Sequence, residues 1–89
     1  MEGKATSVDV ISVCTAAGEI RPLRMQLMDE EKQLLRVNIE EIVKTEEITH
    51  VGAEATIFTC RATVWDRKWL FELRYAFRSH SWSVLRRFH

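Results

Sequence analysis

Apolar and polar residues alternate with a period of two along most of this chain, and β-branched and aromatic side chains stand where the alternation is strongest. That period belongs to strands with one buried face, so it predicts a mainly antiparallel all-β protein. The clearest unit runs from Ile57 to Phe77. With "WDRK" (Trp65 to Lys68) as its turn, Val64 faces Trp69, Ala62 faces Phe71, Cys60 faces Leu73 and Phe58 faces Tyr75. Small residues then oppose large ones on one face, as a thin barrel or curled sheet requires. On the other face Arg61 meets Glu72, Thr59 meets Arg74 and Ile57 meets Ala76. A slip of one residue would exchange core for solvent everywhere.

"RSHS" (Arg78 to Ser81) reads as the next turn, its serines offering hydrogen bonds to nearby backbone. Pairing Phe77 with Trp82 and Tyr75 with Val84 keeps the ring-bearing face continuous. Trp69, Phe71, Leu73, Tyr75, Phe77, Trp82 and Val84 are then inward, and so is Phe88 if pairing extends that far. Upstream, a loop at Glu30 to Lys32 sets Leu27 against Leu35, Met25 against Val37 and Leu23 against Ile39. Arg24, Gln26, Arg36 and Asn38 then face water. Pro22 falls near the start of its strand, where a missing N–H is tolerated. Ser7 to Cys14 forms a first strand ending at a turn around Gly18, with either Val8/Val10 or Ile11/Val13 inward.

The least regular stretch is Ile39 to Gly52. An exposed, bent edge strand suits its charges, because charge keeps an edge from pairing with other chains. One short helical turn near residues 40–43 is the alternative. The expected architecture is a small six- to seven-stranded meander barrel or strongly curled sheet. One proline, three glycines and no linker or repeat make residues 1–89 a single domain, with 1–6 as a flexible N-terminus.

Hydrophobic residues at 46% and charged residues at 29% exclude a disordered chain. No apolar run approaches the roughly 18 residues of a membrane span, and the first ten residues lack the pattern of a signal peptide. The expected location is therefore cytoplasmic, away from membranes, with Cys14 and Cys60 reduced. The zero net charge hides a dipole. Residues 1–54 hold six Lys/Arg and eleven Asp/Glu, whereas residues 55–89 hold seven and two. Such asymmetry points to an anionic partner, or to one half pairing with the other or with a second copy.

No phosphate loop, dinucleotide fingerprint, zinc spacing or nucleophile elbow is present. Cys60 is expected inward and inert. His50, His80 and His89 are scattered, and Asp29-Glu30-Glu31 lacks the ligand spacing of a calcium loop. The expectation is a protein that is not an enzyme, with no catalytic residue, metal or cofactor. The candidate partner surface comprises Arg61, Arg74, Arg78 and Arg87 on one side of the sheet, Arg86 beside them, and Arg67, Lys68 and Trp65 at a hairpin tip. Arginine forks suit phosphate, but single-stranded nucleic acid also wants exposed rings to stack on, and only Trp65 offers one. A non-enzymatic binding or assembly module, acting on a protein partner or as a homo-oligomer, is therefore the first expectation. Nucleic-acid binding through the arginine-bearing face is the alternative.

The scheme "FELRYAFRSHSWSVLRR" (Phe71 to Arg87), with "GEIRPLRMQL" (Gly18 to Leu27) upstream, resembles small uncharacterised bacterial all-β domains of unknown function. The residues that carry the likeness are Gly18, Pro22, Glu72, Leu73, Tyr75, Trp82 and Leu85. They form a pattern of core and turns. The resemblance implies a barrel-like fold and no particular activity.

Overall fold

The computed structural model describes residues 5–28 and 31–88. Seven strands follow one another: β1 (Thr6–Cys14), β2 (Ile20–Met28), β3 (Leu34–Asn38), β4 (Glu41–Ile48), β5 (Ala55–Val64), β6 (Arg67–Ala76) and β7 (Ser81–Phe88). They form one antiparallel sheet in the order β3-β2-β1-β7-β6-β5-β4. Both edges belong to neighbours in the chain. After β3 the backbone crosses directly into β4: the Ile39 N–H donates to the Leu23 carbonyl and the Glu40 N–H to the Arg61 carbonyl, both at 2.9 Å. The sheet therefore curls into a half-barrel, and β3 packs against β5 across the interior. Residues 39–52 supply the bent edge strand, and 40–43 form no helical turn.

The core is the concave face. Met25, Leu27, Val37, Phe58, Cys60, Ala62, Phe71, Leu73, Trp82 and Val84 make one buried cluster, flanked by half-buried Val8, Val10, Ile42, Trp69 and Tyr75. In β1 the inward pair is thus Val8/Val10, while Ile11 and Val13 are exposed. Phe58 stacks on Trp82 at 5.8 Å and Tyr75 tilts against Trp82 at 5.0 Å. Parity in β5 and β6 agrees with the alternation, but register differs by two residues. The turn is only Trp65-Asp66, so Val64 pairs Arg67, Ala62 pairs Trp69, Cys60 pairs Phe71 and Phe58 pairs Leu73. Both turn residues have positive φ, 54° and 62°. That is the two-residue hairpin geometry matching strand twist, and it gains ladder pairs that a four-residue turn would lose. Arg61 consequently lies opposite Leu70, not Glu72.

The β6–β7 hairpin shows the same kind of shift. Tyr75 pairs Trp82 and Leu73 pairs Val84, leaving Phe77 in the turn, largely exposed. In the β2–β3 hairpin Met25:Val37 and Leu27:Leu35 form as expected, and the last pair is Met28:Leu34. Asp29 and Glu30, and with them the expected acidic hairpin tip, lie outside the described residues. So do residues 1–4 and His89, while Thr6 already pairs with Val84.

Three bulges break the alternation. The registers skip Leu23 in β2, Val43 in β4 and Leu85 in β7. Each inserts one apolar residue and exchanges the faces beyond it. Leu23 is turned out to solvent instead of facing Ile39, and Pro22 takes the buried place. Beyond Leu85, Arg87 lies opposite Phe71 on the concave side, and Phe88 lies opposite Leu70 on the convex side. Both placements reverse what unbroken alternation predicts.

Candidate partner-binding surfaces

The convex face of β4–β7 carries three of the six arginines singled out in the sequence, and the register orders them into rows. One row reads Glu41, Arg61, Leu70, Phe88; the next Lys44, Thr59, Glu72, Arg86; the third Glu46, Ile57, Arg74, Ser83. In these three rows four cations share the face with three carboxylates. Arg86 holds Glu72 through two parallel bonds, Nε to Oε1 at 3.0 Å and Nη2 to Oε2 at 3.1 Å. Its guanidinium also lies 5.9 Å from the Phe88 ring centroid. Arg61 Nε lies 3.3 Å from Glu41 Oε1, without hydrogen-bond alignment. Lys68 Nζ is 3.9 Å from Glu40 and Arg78 Nε is 4.0 Å from Glu54. Such partly wet pairs add little stability. Their effect is on the field: a face of interleaved signs presents no continuous positive potential to a polyanion.

The remaining members are dispersed. Arg74 is exposed between Ile57 and Ser83 in the third row. Arg87 sits at the mouth of the half-barrel on the other side of the sheet. Trp65, 72% exposed, and Arg67 occupy the β5–β6 turn. The eight residues therefore do not form one patch. A basic surface that the sequence did not single out lies on the convex side of β1–β3. There Arg21 pairs Val13, Arg24 pairs Ile11 and Asn38, and Arg36 pairs Gln26, with Asp9 as the acid in these rows. Arg24 Nε donates to Asn38 Oδ1 at 3.0 Å. The expected β2–β3 hairpin already places Arg24 and Arg36 side by side in water; the sheet order adds Asp9 and Ile11 of β1, and the bulge at Leu23 turns Arg21 to the same face.

A second feature depends on the crossover. Over Ile20–Pro22, β2 pairs with β1 alone, because its ladder with β3 begins at Arg24 and the carbonyl of the bulged Leu23 accepts from Ile39 at the junction. Over its whole length β4 pairs with β5 alone. These two open edges diverge from the junction at Ile39-Glu40 and bound a cleft of about 790 Å³. Ile20, Ile42, Phe58 and Phe77 line it, as do the carboxylates of Glu19, Glu40, Glu41 and Glu47 and the single cation Arg21. A cleft of similar kind, about 1010 Å³, opens at the other end between β1, β2 and β7, where Arg87 and Asp9 both contribute.

Chemistry-bearing groups elsewhere are few. Cys60 is fully buried, and burial pushes its thiol up to about 12; Cys14 is exposed. His80, at a turn with φ 53°, has Nδ1 2.9 Å from the Tyr75 hydroxyl. Among the described residues no group of three His, Cys, Asp or Glu side chains is placed to hold a metal ion, and no helix is long and apolar enough to cross a membrane. No protein-family model, curated protein or solved structure matches the chain.

Proposed function

We propose that this chain is a small non-enzymatic binding module that engages a protein partner through the open edge of β4. The observation that carries the reading is that β4 offers eight residues of main chain paired on one side only, beside a cleft with an apolar floor. An open edge is a template for a strand from another chain, with main-chain hydrogen bonds giving affinity and side-chain pockets giving selectivity. Assembly with a second copy is the homo-oligomeric version of the same reading. The setting that goes with it is the cytoplasm, the location expected from the sequence, and a bacterial source follows the resemblance noted above.

Nucleic-acid binding is the second reading, and one observation favours it: the convex side of β1–β3 carries Arg21, Arg24 and Arg36 against Asp9. Its exposed apolar neighbours, Ile11, Val13 and Leu23, are aliphatic and give bases nothing to stack on. The interleaved charges of the β4–β7 face weigh against it as well.

Photo-crosslinking separates the readings. Benzoylphenylalanine is placed at Lys44 on β4, or at Ile11 on the convex side of β1, and cells making either protein are irradiated. A protein adduct at position 44 and none at 11 is expected, and its mass tells a second copy from another protein. Nuclease-sensitive adducts at 11, or no protein adduct at 44, would overturn the reading.

A further inference from the structure

We infer that the cleft between β2 and β4 takes an extended, basic peptide strand, one whose cleft-facing side carries both aliphatic residues and lysine or arginine. This rests on the binding-module reading and names the class of partner. Three features of the cleft converge on it. The first is its walls. Ile20–Pro22 and Glu41–Ile48 both leave backbone groups without a ladder, and they face each other across a gap closed at one end by the Ile39 and Glu40 hydrogen bonds. A strand laid there meets main chain on both sides. Antiparallel pairing to β4 is the stronger ladder, which sets the direction of the occupant.

The second feature is the floor. Ile42 and Phe58 belong to or flank the core, and Phe77 stands at the open end against Tyr75, ring centroids 5.9 Å apart. Side chains on alternate positions of an entering strand would land on this surface, so those over Ile42 and Phe58 must be apolar.

The third is charge. Four carboxylates line the cleft against one arginine. Glu40 and Glu41 already have Lys68 and Arg61 beside them, which leaves Glu19 and Glu47, one on each wall, to meet cations from outside. Glu47 lies opposite Thr56, on the same face of the sheet as Phe58, so the cation that meets it shares the strand face of the apolar positions. The same acidity argues against a second copy of β4 as occupant. That strand carries Glu41, Glu46 and Glu47 with one lysine, and edge-to-edge pairing would bring two acidic strands together.

The probe is a fluorescent, acetylated and amidated octapeptide in which pairs of lysines alternate with pairs of valines, so that each strand face carries both, titrated onto the full chain at low and moderate salt. Saturable binding is expected, together with slowed amide exchange in β4. Three controls should weaken it about tenfold or more: a glutamate–valine peptide, a lysine–valine peptide N-methylated at alternate residues, and the Glu19→Lys/Glu47→Lys variant. Both substituted positions are exposed, and an unchanged melting temperature verifies the variant's fold. Undiminished binding of the N-methylated peptide would show attraction without strand pairing and overturn the inference. Binding unaffected by the charge reversal would overturn it too, as would no binding at all. The module reading fails separately, by the crosslinking result.

Discussion

At the scale of single residues the sharpest consequence concerns Cys60. Its thiol is enclosed by the core cluster, opposite Phe71 and Ile42 on the neighbouring strands, and desolvation disfavours the thiolate. A group whose folded pKa is raised contributes stability that is complete below its unfolded pKa and is lost as pH rises through the folded one. The window here therefore opens near the ordinary thiol value of 9.0 and extends to about 12. Wild-type protein and Cys60→Ala should show the same pH dependence of the urea midpoint below pH 9, and wild type should then fall more steeply. Parallel curves throughout would mean that the thiol is not held in the core. In the native state a thiol reagent should label Cys14 promptly and Cys60 only after unfolding. Equal labelling rates would contradict the placement.

At the scale of elements, the β5–β6 hairpin shows what alternation can and cannot specify. The faces of Phe58, Cys60, Ala62, Phe71 and Leu73 were legible, because a period of two with one apolar side admits a single parity. The register was not. Trp65-Asp66 lacks the Asn-Gly or Asp-Gly signature of a tight turn, so "WDRK" reads as a longer loop, and the error moves every pair by two while leaving the faces intact. The bulges were illegible for another reason. At Leu23, Val43 and Leu85 the extra residue is itself apolar and continues a plausible strand, so nothing local marks the reversal that sends Arg87 inward and Phe88 outward. The arrangement of the candidate arginines differs from the expected one through these two effects together, since both decide which carboxylate each arginine meets.

The turn also carries a testable cost. A tryptophan with φ 54° occupies the left-handed region, which bulky side chains adopt only under strain. Trp65 is exposed and contributes little to the core. Trp65→Asn with Asp66→Gly should therefore stabilise the protein by about 1 kcal/mol, read as a rise in melting temperature. A fall would show that the indole makes a contact more valuable than the relief of backbone strain. Gain of stability on removing it would also mark Trp65 as a side chain kept for something other than folding.

At the scale of the whole molecule the decisive feature is that the sheet's two edges are one continuous piece of chain. Closure of the half-barrel at that point rests on two main-chain bonds, Ile39 N–H to Leu23 and Glu40 N–H to Arg61. Everything proposed for the cleft depends on them, because they set the angle at which β2 and β4 part. Glu40→Pro removes one donor and leaves the Arg61 carbonyl without it, whereas Glu40→Ala removes only the exposed carboxylate near Lys68. The proline variant should lose about 1–3 kcal/mol, and the alanine variant a few tenths at most. Native-state amide exchange should accelerate across β4 in the proline variant while β6 and β7, paired on both sides, keep their protection. The lysine–valine peptide should bind it more weakly in the same proportion. If proline and alanine behave alike, the crossover bond does not hold β4 in place, and the cleft is shaped by the core beneath it instead.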